Sequence, residues 1–286
     1  MSSGPINPSH EERTASEPRD PSLHPVILSE IQSVNETIRL IKLRIKDQKR
    51  GIKFLPGQWL DVFIPGLTKA GGFTITSTPR QAFPYLELAI QKSANPPAKW
   101  IWRTESDILG TELLVRVGGS FTWPPTGIDA ARISRVVLVA GGVGINPLMS
   151  MLSSMCDPNM RNAGPVPHDV HLLYSSKAPK QKTDQTLFLD RLVKLKTNNG
   201  DSSGAPHVNV EFFCTGGSGN LSSLPLNSHD RRMSDADVIA ALGEESNRKS
   251  TVCYVCGPQA MTDYFVELVK KQAGMDPALV LCEKWW

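Results

Sequence analysis

The chain has 286 residues, 40% of them hydrophobic and 21% charged, which is typical of a globular protein with one large or two smaller domains. Its net charge is only +3 and no arginine-rich stripe is present, so we expect no nucleic-acid partner. Five scattered cysteines argue against a disulfide framework, and no apolar run approaches the roughly 20 residues that span a bilayer.

Residues 1–24 form a polar segment that is rich in serine, proline, glutamate and arginine and has no apolar periodicity. This composition predicts a disordered N-terminus. Mitochondrial transit peptides are rich in arginine and poor in acids. This segment contains four acidic residues and is therefore a poor mitochondrial targeting signal. The acidic residues are Glu11, Glu12, Glu17 and Asp20.

Residues 25–125 carry short strand patterns in quick succession. Apolar and polar residues alternate within each pattern, and proline and glycine punctuate the gaps. One helix-like break falls at 99–104. This organisation predicts a small antiparallel β-barrel. Its strands are expected at 38–45, 59–64, 72–77, 86–90 and 113–117.

After a linker at 126–134 the pattern changes, because apolar strands now alternate with helices, as in a parallel sheet. The predicted fold class is therefore a two-domain α+β protein, with an N-terminal antiparallel β-barrel followed by a C-terminal α/β domain with a parallel sheet over 135–286. Its strands are expected at 135–140, 169–175, 208–214, 251–256 and 279–282, and its helices at 147–156, 186–196, 235–242 and 259–272.

The first strand of the second domain leads through three glycines into a helix. Glycines let the backbone approach a bulky anion, and a helix N-terminus offers free N–H groups and the positive end of its dipole. Asn146 suits the N-cap and Pro147 the first helical position. We predict a pyrophosphate site at the carboxyl end of this strand, with a tight turn that binds nothing as the alternative. The segment comprises Gly141, Gly142, Val143, Gly144, Ile145, Asn146 and Pro147.

A second strand-to-helix junction follows the fourth predicted strand and therefore lies on the same edge of the sheet. Two such loops on one edge favour an extended ligand such as a dinucleotide. Cys253 and Cys256 form a C-x-x-C pair, but a spacing of three within a strand sends the side chains to opposite faces. We interpret Cys256 as a small residue at the edge of the ligand and Cys253 as core filling, and we predict no metal site. The junction contains Cys256, Gly257, Pro258, Gln259, Ala260 and Met261.

With both motifs in hand, residues 25–286 resemble the ferredoxin–NADP reductase superfamily, whose nucleotide signature combines G-G-x-G-I-x-P with a later C-G-P-x-x-M. The resemblance implies a barrel of the flavin-binding type and an α/β domain that binds NAD(P)H. The cofactors it implies are FAD and NAD(P)H, and the nucleotide contacts include Gly257, Pro258 and Met261.

The resemblance also implies which barrel residues face the flavin. Phe73 stands where an aromatic lies against the flavin, Thr74 stands where a hydroxyl bonds near its N5, and Thr76 belongs to the same motif. This motif departs from the family at Gly71, which replaces the arginine that clamps the FAD pyrophosphate.

A second flavin motif of the family, G-x-x-[ST], aligns with residues 95–98, where its glycine and its hydroxyl are both missing. A helix N-terminus near Ala98 would still offer N–H groups to a phosphate. These departures in the two flavin motifs are expected to lower the affinity for FAD more than the affinity for NAD(P).

The C-terminal tail carries two tryptophans. In the superfamily a C-terminal aromatic shields the flavin and yields to the nicotinamide, and Trp285 or Trp286 is placed for this role. Hydrophobic docking of the tail is the alternative. Glu283 resembles an acid near the nicotinamide, and an ordinary surface carboxylate is equally consistent with the sequence. The catalytic set that the resemblance implies is Thr74, Cys256 and Glu283.

The choice between NADH and NADPH depends on cations near the ends of the second and third parallel strands. Lys177 follows the second strand, and no arginine follows the third, which favours NADH. The resemblance implies hydride transfer from NAD(P)H to FAD and onward to an external electron acceptor such as a small redox protein.

Two other functions remain open at this point. The first is a nucleotide-binding protein that has lost tight flavin binding and acts as a sensor or scaffold. The second is a reductase that takes FMN or free flavin as a substrate. The resemblance further implies a mitochondrial location, with the cytoplasm as the alternative.

Overall fold

The computed structural model describes residues 9–160, 166–178, 185–198, 204–217 and 226–285, and within them it forms two sheets of six strands each. No helix in these ranges combines the length and the apolar character needed to cross a bilayer.

The first sheet is the predicted antiparallel barrel. Its strands are β1 (His24–Asn35), β2 (Ile38–Ile45), β3 (Trp59–Phe63), β4 (Gly71–Thr74), β5 (Tyr85–Gln91) and β6 (Glu112–Gly118). They are arranged in the order β4-β3-β6-β1-β2-β5, and a bridge between Ile75 and Leu88 joins the two ends of the sheet. Two short helices, α2 (Pro96–Ile101) and α3 (Glu105–Ile108), occupy the region of the predicted helical break.

Alternate residues along each strand point into the barrel, and their side chains form its core. Leu60 and Val62 on β3 point inward with Val115 and Val117 on β6, and all four are buried in one cluster. Asp61 lies between the two inward residues of β3 and takes the outer face, where it meets polar partners.

The described part of the N-terminal segment differs from the predicted disorder, because residues 9–24 are ordered. Ser9 and Glu12 form a capping box at the start of α1 (His10–Arg13). His10 is buried, with its Nε2 atom 3.1 Å from Asp61 Oδ1, and Arg19 Nε donates to Asp61 Oδ2 over 2.9 Å. Partners far along the chain therefore stabilise a segment whose local signal is a single capping box.

The second sheet is parallel throughout and confirms the predicted α/β domain. Its strands are β7 (Arg135–Gly141), β8 (Asp169–Lys177), β9 (His207–Thr215), β10 (Asn227–His229), β11 (Thr251–Cys256) and β12 (Val280–Glu283), in the order β10-β9-β8-β7-β11-β12. The helices are α4 (Ile145–Met155), α5 (Leu189–Asn198), α6 (Asp235–Leu242) and α7 (Gln259–Lys270).

Helices cover both faces of this sheet, so its central strands are apolar on both sides. Val136 and Leu138 on β7 face the layer that contains α4, whereas Val137 and Val139 face the layer that contains α6 and α7. Cys253 and Cys256 also fall into opposite layers, as their spacing predicts.

Hydrogen bonds from α4 and β11 fix the α/β domain against the barrel. Asn146 Nδ2 donates to the Ala89 carbonyl over 2.9 Å, and Ser150 Oγ donates to the Ser77 carbonyl over 2.8 Å. The buried Tyr254 hydroxyl donates to the Thr122 carbonyl over 2.8 Å. The carboxyl edge of the parallel sheet therefore faces the barrel, and two cavities form along this junction.

Candidate functional site

The predicted glycine loop is a short 3₁₀ turn, Gly142–Gly144, that leads directly into α4. The helix begins at Ile145 with Gly144 as its N-cap, so the predicted roles of Asn146 as N-cap and Pro147 as first helical residue are wrong. The side-chain amide of Asn146 is instead buried and bonds to the barrel, which makes it unavailable for capping.

The three glycines of this loop have different roles. Gly142 adopts a φ of +54°, and a side chain there would point into open space. A Cβ on Gly144 would collide with the carbonyl of Cys256, and a Cβ on Gly141 would lie 2.7 Å from the Met261 sulfur. Gly141 and Gly144 therefore allow the two strand-to-helix loops to touch, and Gly142 is the glycine that faces a ligand-sized opening.

A cavity of about 670 Å³ lies in front of both loops, at the carboxyl edge of the sheet. The barrel contributes its other wall, through the β1–β2 turn and the end of β5. The structure brings most of the predicted nucleotide contacts together here: Gly141, Gly142, Val143, Gly144, Lys177, Gly257, Pro258, Met261 and Trp285.

Several residues that line this cavity were not predicted, because their contribution arises from packing between the domains. Examples are Asn35, Thr37 and Gln91 of the barrel. The side chain of Asn35 donates to the carbonyl of Gln185 over 3.2 Å, across the mouth of the cavity. No local sequence pattern indicates that a barrel hairpin reaches the second domain.

The other residues that were predicted to contact the nucleotide do not line this cavity. Ile145, Asn146 and Pro147 are buried beneath the glycine turn and do not line the cavity. Cys256 is fully buried on the α4 side of the sheet, and this burial raises the pKa of its thiol well above the ordinary value. Trp286 lies outside the described residues.

The ends of β8 and β9 border the cavity through Ser175, Ser176, Lys177 and Thr215. Lys177 is exposed, and it is the one positively charged side chain among the described residues that line this cavity. The hydroxyl-rich remainder of this wall suits a ribose more than a phosphate.

The barrel residues do not fit the pyrophosphate of a bound FAD. A Cβ on Gly71 would lie 2.6 Å from both the Phe73 ring and Pro97, so the space of the family's arginine is already filled. Pro96 and Pro97 begin α2 and lack N–H groups, and Ala98 is only 3% exposed. The next amide, that of Lys99, donates to the Asn95 carbonyl. The N-terminus of α2 thus has almost no donor left for a phosphate.

The two threonines of the flavin motif are both buried. Thr76 is fully buried, and its hydroxyl donates to Glu87 Oε1 over 2.7 Å. Thr74 is buried on the outer face of β4, opposite Trp59. Phe73 is half-buried, packs against the barrel core and fills the space beside Gly71.

The C-terminal strand brings two predicted residues together. Glu283 lies directly beside Cys256 in the register of β12 against β11. Burial raises the pKa of Glu283 from 4.5 to about 8, although the Trp285 indole N–H donates to its carboxylate over 2.9 Å and opposes this rise. Trp285 lines both cavities.

Comparison with known proteins gives the same fold and domain. Residues 138–267 match the oxidoreductase NAD-binding domain. A ferredoxin NADP+ reductase from Neisseria gonorrhoeae, solved with bound FAD and NADP, superposes with a TM-score of 0.67 at 14% identity, covering 93% of this chain and all of that one. The chain therefore has the fold of the ferredoxin reductases.

Several curated proteins are similar in sequence. The reductase component of propane 2-monooxygenase from Rhodococcus jostii (strain RHA1) is 26% identical over 81% of this chain and 56% of that protein. The human oxidoreductase NAD-binding domain-containing protein 1 is 33% identical over 285 residues, which cover 97% of this chain and 84% of the relative. The chain belongs to the family of oxidoreductase NAD-binding domain-containing protein 1.

Proposed function

We propose that the protein is an NAD(P)H-dependent oxidoreductase that binds the dinucleotide across the carboxyl edge of its parallel sheet. It passes hydride from the reduced nicotinamide to an acceptor that it does not hold permanently. The observation that carries this proposal is the opening of both glycine loops onto one cavity of about 670 Å³. Small-molecule sites typically have volumes of about 300–1,000 Å³.

The orientation of the nucleotide follows from the order of the strands. Its diphosphate lies against the turn at Gly142, where the backbone can approach closely and the N-terminus of α4 favours negative charge. Its adenosine half extends over the ends of β8 and β9, and its nicotinamide extends toward Pro258 and Trp285. With Lys177 as the cation on the adenosine side, NADH is the preferred form.

The nicotinamide supplies the hydride chemistry, while the protein aligns the ring and excludes water. A tightly held FAD is not part of this proposal, because Gly71 and α2 do not fit its pyrophosphate. The acceptor is therefore external, either a free planar molecule or a small redox protein. The relationship to a reductase component of an oxygenase supports an external partner.

Gly142 gives a direct test of the nucleotide site. Asparagine and aspartate both tolerate a positive φ, and a side chain at this position meets open space, so both variants should fold. Gly142→Asp places a carboxylate against the diphosphate, whereas Gly142→Asn adds the same bulk without charge. We expect the aspartate variant to bind NADH at least about tenfold more weakly than the asparagine variant, a loss of about 1.4 kcal/mol.

The measurement is a fluorescence or calorimetric titration with NADH and with NADPH, together with the melting temperature of each variant. Equal NADH affinities of the two variants at equal melting temperature would refute the placement of the diphosphate. Tighter binding of NADPH than of NADH would refute the proposed preference.

The space beside Gly71 is filled and the start of α2 lacks N–H donors, so the barrel does not fit the FAD pyrophosphate. This also favours a second candidate, a protein that binds the nucleotide as a sensor or scaffold and transfers no hydride. An NADH-oxidation assay with FMN, a quinone and ferricyanide separates the two. Turnover with any of these acceptors supports the oxidoreductase, and NADH binding without turnover supports the sensor.

A further inference from the structure

The outer face of the barrel carries a strip of apolar side chains, which we call the outer strip. On β6, Leu114 pairs with Phe63 of β3 on one side and with Pro25 of β1 on the other. Their strand neighbours, such as Val62 and Val26, are buried in the barrel core, so these three side chains point outward. Leu114 is 41% exposed, which leaves the centre of the strip open to solvent.

The next row of paired residues extends the strip to β5. Ile27 of β1 pairs with Arg44 of β2, and Arg44 pairs with Tyr85 of β5. Phe83 lies beside the end of β2, because the Pro84 carbonyl accepts a hydrogen bond from that strand. Phe83 is 53% exposed and Tyr85 is 38% exposed, so the strip ends in two accessible aromatic rings. The outer strip comprises Pro25, Ile27, Phe63, Phe83, Tyr85 and Leu114.

The turn after β2, residues 46–53, is rich in positive charge, and we call it the basic turn. It begins beside the outer strip, because the backbone N–H of Lys46 donates to the Pro25 carbonyl over 3.2 Å. The turn contains four cationic residues and one acid, Asp47. Lys46 itself forms an ion pair with Glu112 of β6 at 2.7 Å, so the other three cations determine the charge of the turn.

These three cations are not neutralised within the part of the chain that the structure describes. Lys49, Arg50 and Lys53 are exposed and have no ion-pair partner there, and the same holds for the half-buried Arg44 within the strip. The Asp47 carboxylate accepts from the backbone N–H groups of Lys49 and Arg50, over 3.1 and 3.2 Å. The acid therefore shapes the turn, while the lysine and arginine side chains extend into solvent.

Exposed apolar side chains beside unpaired cations match the surface of a bilayer that contains anionic lipids. Lysine and arginine are attracted to the negative headgroups, and aromatic and aliphatic side chains insert at the level where the headgroups meet the acyl chains. The outer face of a closed barrel is convex. Its side chains can enter a fluid headgroup layer directly, whereas a folded protein partner would need a matching concave surface.

The position of this surface leaves the nucleotide cavity open. Ile38 of β2 and Gln91 of β5 border that cavity, and Arg44 and Tyr85 lie six residues away along the same two strands. At about 3.3 Å per residue the two sites are about 20 Å apart. A protein held by its outer strip therefore still exchanges nucleotide with the solution.

We propose that the outer strip and the basic turn dock the protein on the surface of a membrane that contains anionic lipids. The cations supply the long-range attraction, and the exposed apolar side chains hold the protein at the headgroup layer. This contact is peripheral and reversible, and it goes beyond the proposed function because it does not depend on the nucleotide site.

Cosedimentation of the full chain with lipid vesicles tests the charged part of this surface. The vesicles are pure phosphatidylcholine or equal parts of phosphatidylcholine and phosphatidylserine. The variant combines Lys49→Glu and Arg50→Glu, and the control combines Lys270→Glu and Lys271→Glu, which makes the same change of net charge at the exposed end of α7. We expect the wild type to prefer the anionic vesicles, and the variant to bind them about thirtyfold more weakly than the control does.

A second variant tests the apolar part without a change of charge. Leu114→Thr and Tyr85→Thr together keep residues that favour strands, so the barrel should fold, and the melting temperature checks this. The control is Tyr264→Thr, which removes an exposed aromatic residue from α7. We expect the double variant to bind anionic vesicles at least about fivefold more weakly than this control.

Weaker binding of both variants than of their controls, at unchanged melting temperatures, supports the docking surface. Equal binding of the wild type to the two kinds of vesicle would overturn it, as would its failure to bind either kind. Equal effects of the two charge reversals would overturn it as well. Unchanged binding of the apolar variant would show that side chains of the outer strip do not insert, which also contradicts the proposal.

Discussion

At the scale of single residues, the environment of Glu283 strongly favours its neutral form. Its carboxyl group lies at the end of β12, between the buried Cys256 and the indole of Trp285. Burial disfavours the charged carboxylate and raises its pKa to about 8. Near neutral pH the group is therefore mostly protonated, and it can donate a hydrogen bond as well as accept one.

This raised pKa predicts how stability depends on pH. An unfolded chain ionises Glu283 near 4.5, whereas the folded protein does so near 8, so the contribution of the group to stability is complete below about pH 4.5 and is lost as pH rises through about 8. Glu283→Gln stays neutral throughout. Its free energy of unfolding should therefore rise relative to wild type between about pH 5 and pH 8.

Urea unfolding across this pH range checks the expectation. Glu267→Gln, which removes an exposed carboxylate from α7, serves as the control for the general loss of one negative charge. A constant difference between Glu283→Gln and wild type at every pH would show that Glu283 titrates normally.

At the scale of secondary-structure elements, α2 determines what the barrel can hold. Two prolines at its start remove two of the amides that a phosphate would need, and the remaining first-turn residue is buried. The ring of Phe73 fills the space beside Gly71. Packed side chains at α2 and beside Gly71 thus occupy the surface where the resemblance implies that the FAD pyrophosphate binds.

We therefore expect the purified protein to lose FAD on desalting. A variant that combines Gly71→Arg, Phe73→Ala, Pro97→Gly and Ala98→Ser restores the arginine, an amide and the hydroxyl, and removes the Phe73 ring and the Pro97 side chain that fill the space beside residue 71. It should bind FAD at least about tenfold more tightly than wild type, since charge-assisted hydrogen bonds contribute about 1.5–3 kcal/mol. Absorbance spectra and FAD titrations measure this, and wild-type protein that keeps one FAD per chain would contradict it.

The elements themselves were largely predictable, because their patterns are local. The alternation in the barrel and the apolar strands of β7 and β11 follow directly from the sequence, as do the glycine loops at their ends. The start of α4 and the order of the N-terminal segment were not predictable. Both depend on distant partners, the Ala89 carbonyl for Asn146 and the Asp61 carboxylate for His10.

At the scale of the whole molecule, the candidate sites exist because two domains are packed together. Each cavity takes walls from the barrel and from the α/β domain, and the β1–β2 turn reaches across the nucleotide cavity to Gln185. Sequence motifs place the glycine loops on one edge of a sheet, but they carry no information about which barrel residues face that edge. For this reason the loop residues that line the larger cavity were predicted, and the barrel residues that line it were not.

The strength of this domain contact can be measured at one ion pair. Arg191 of α5 donates to both carboxylate oxygens of Glu87 on β5, over 2.8 and 3.0 Å, and both side chains are partly buried between the domains. A double-mutant cycle with Arg191→Met and Glu87→Gln should give a coupling energy of about 1 kcal/mol in urea unfolding. The control cycle uses the exposed pair Lys42 and Glu30 within the barrel, where we expect less than about 0.5 kcal/mol. Equal coupling in the two cycles would show that the interdomain pair contributes no more to stability than an exposed surface pair.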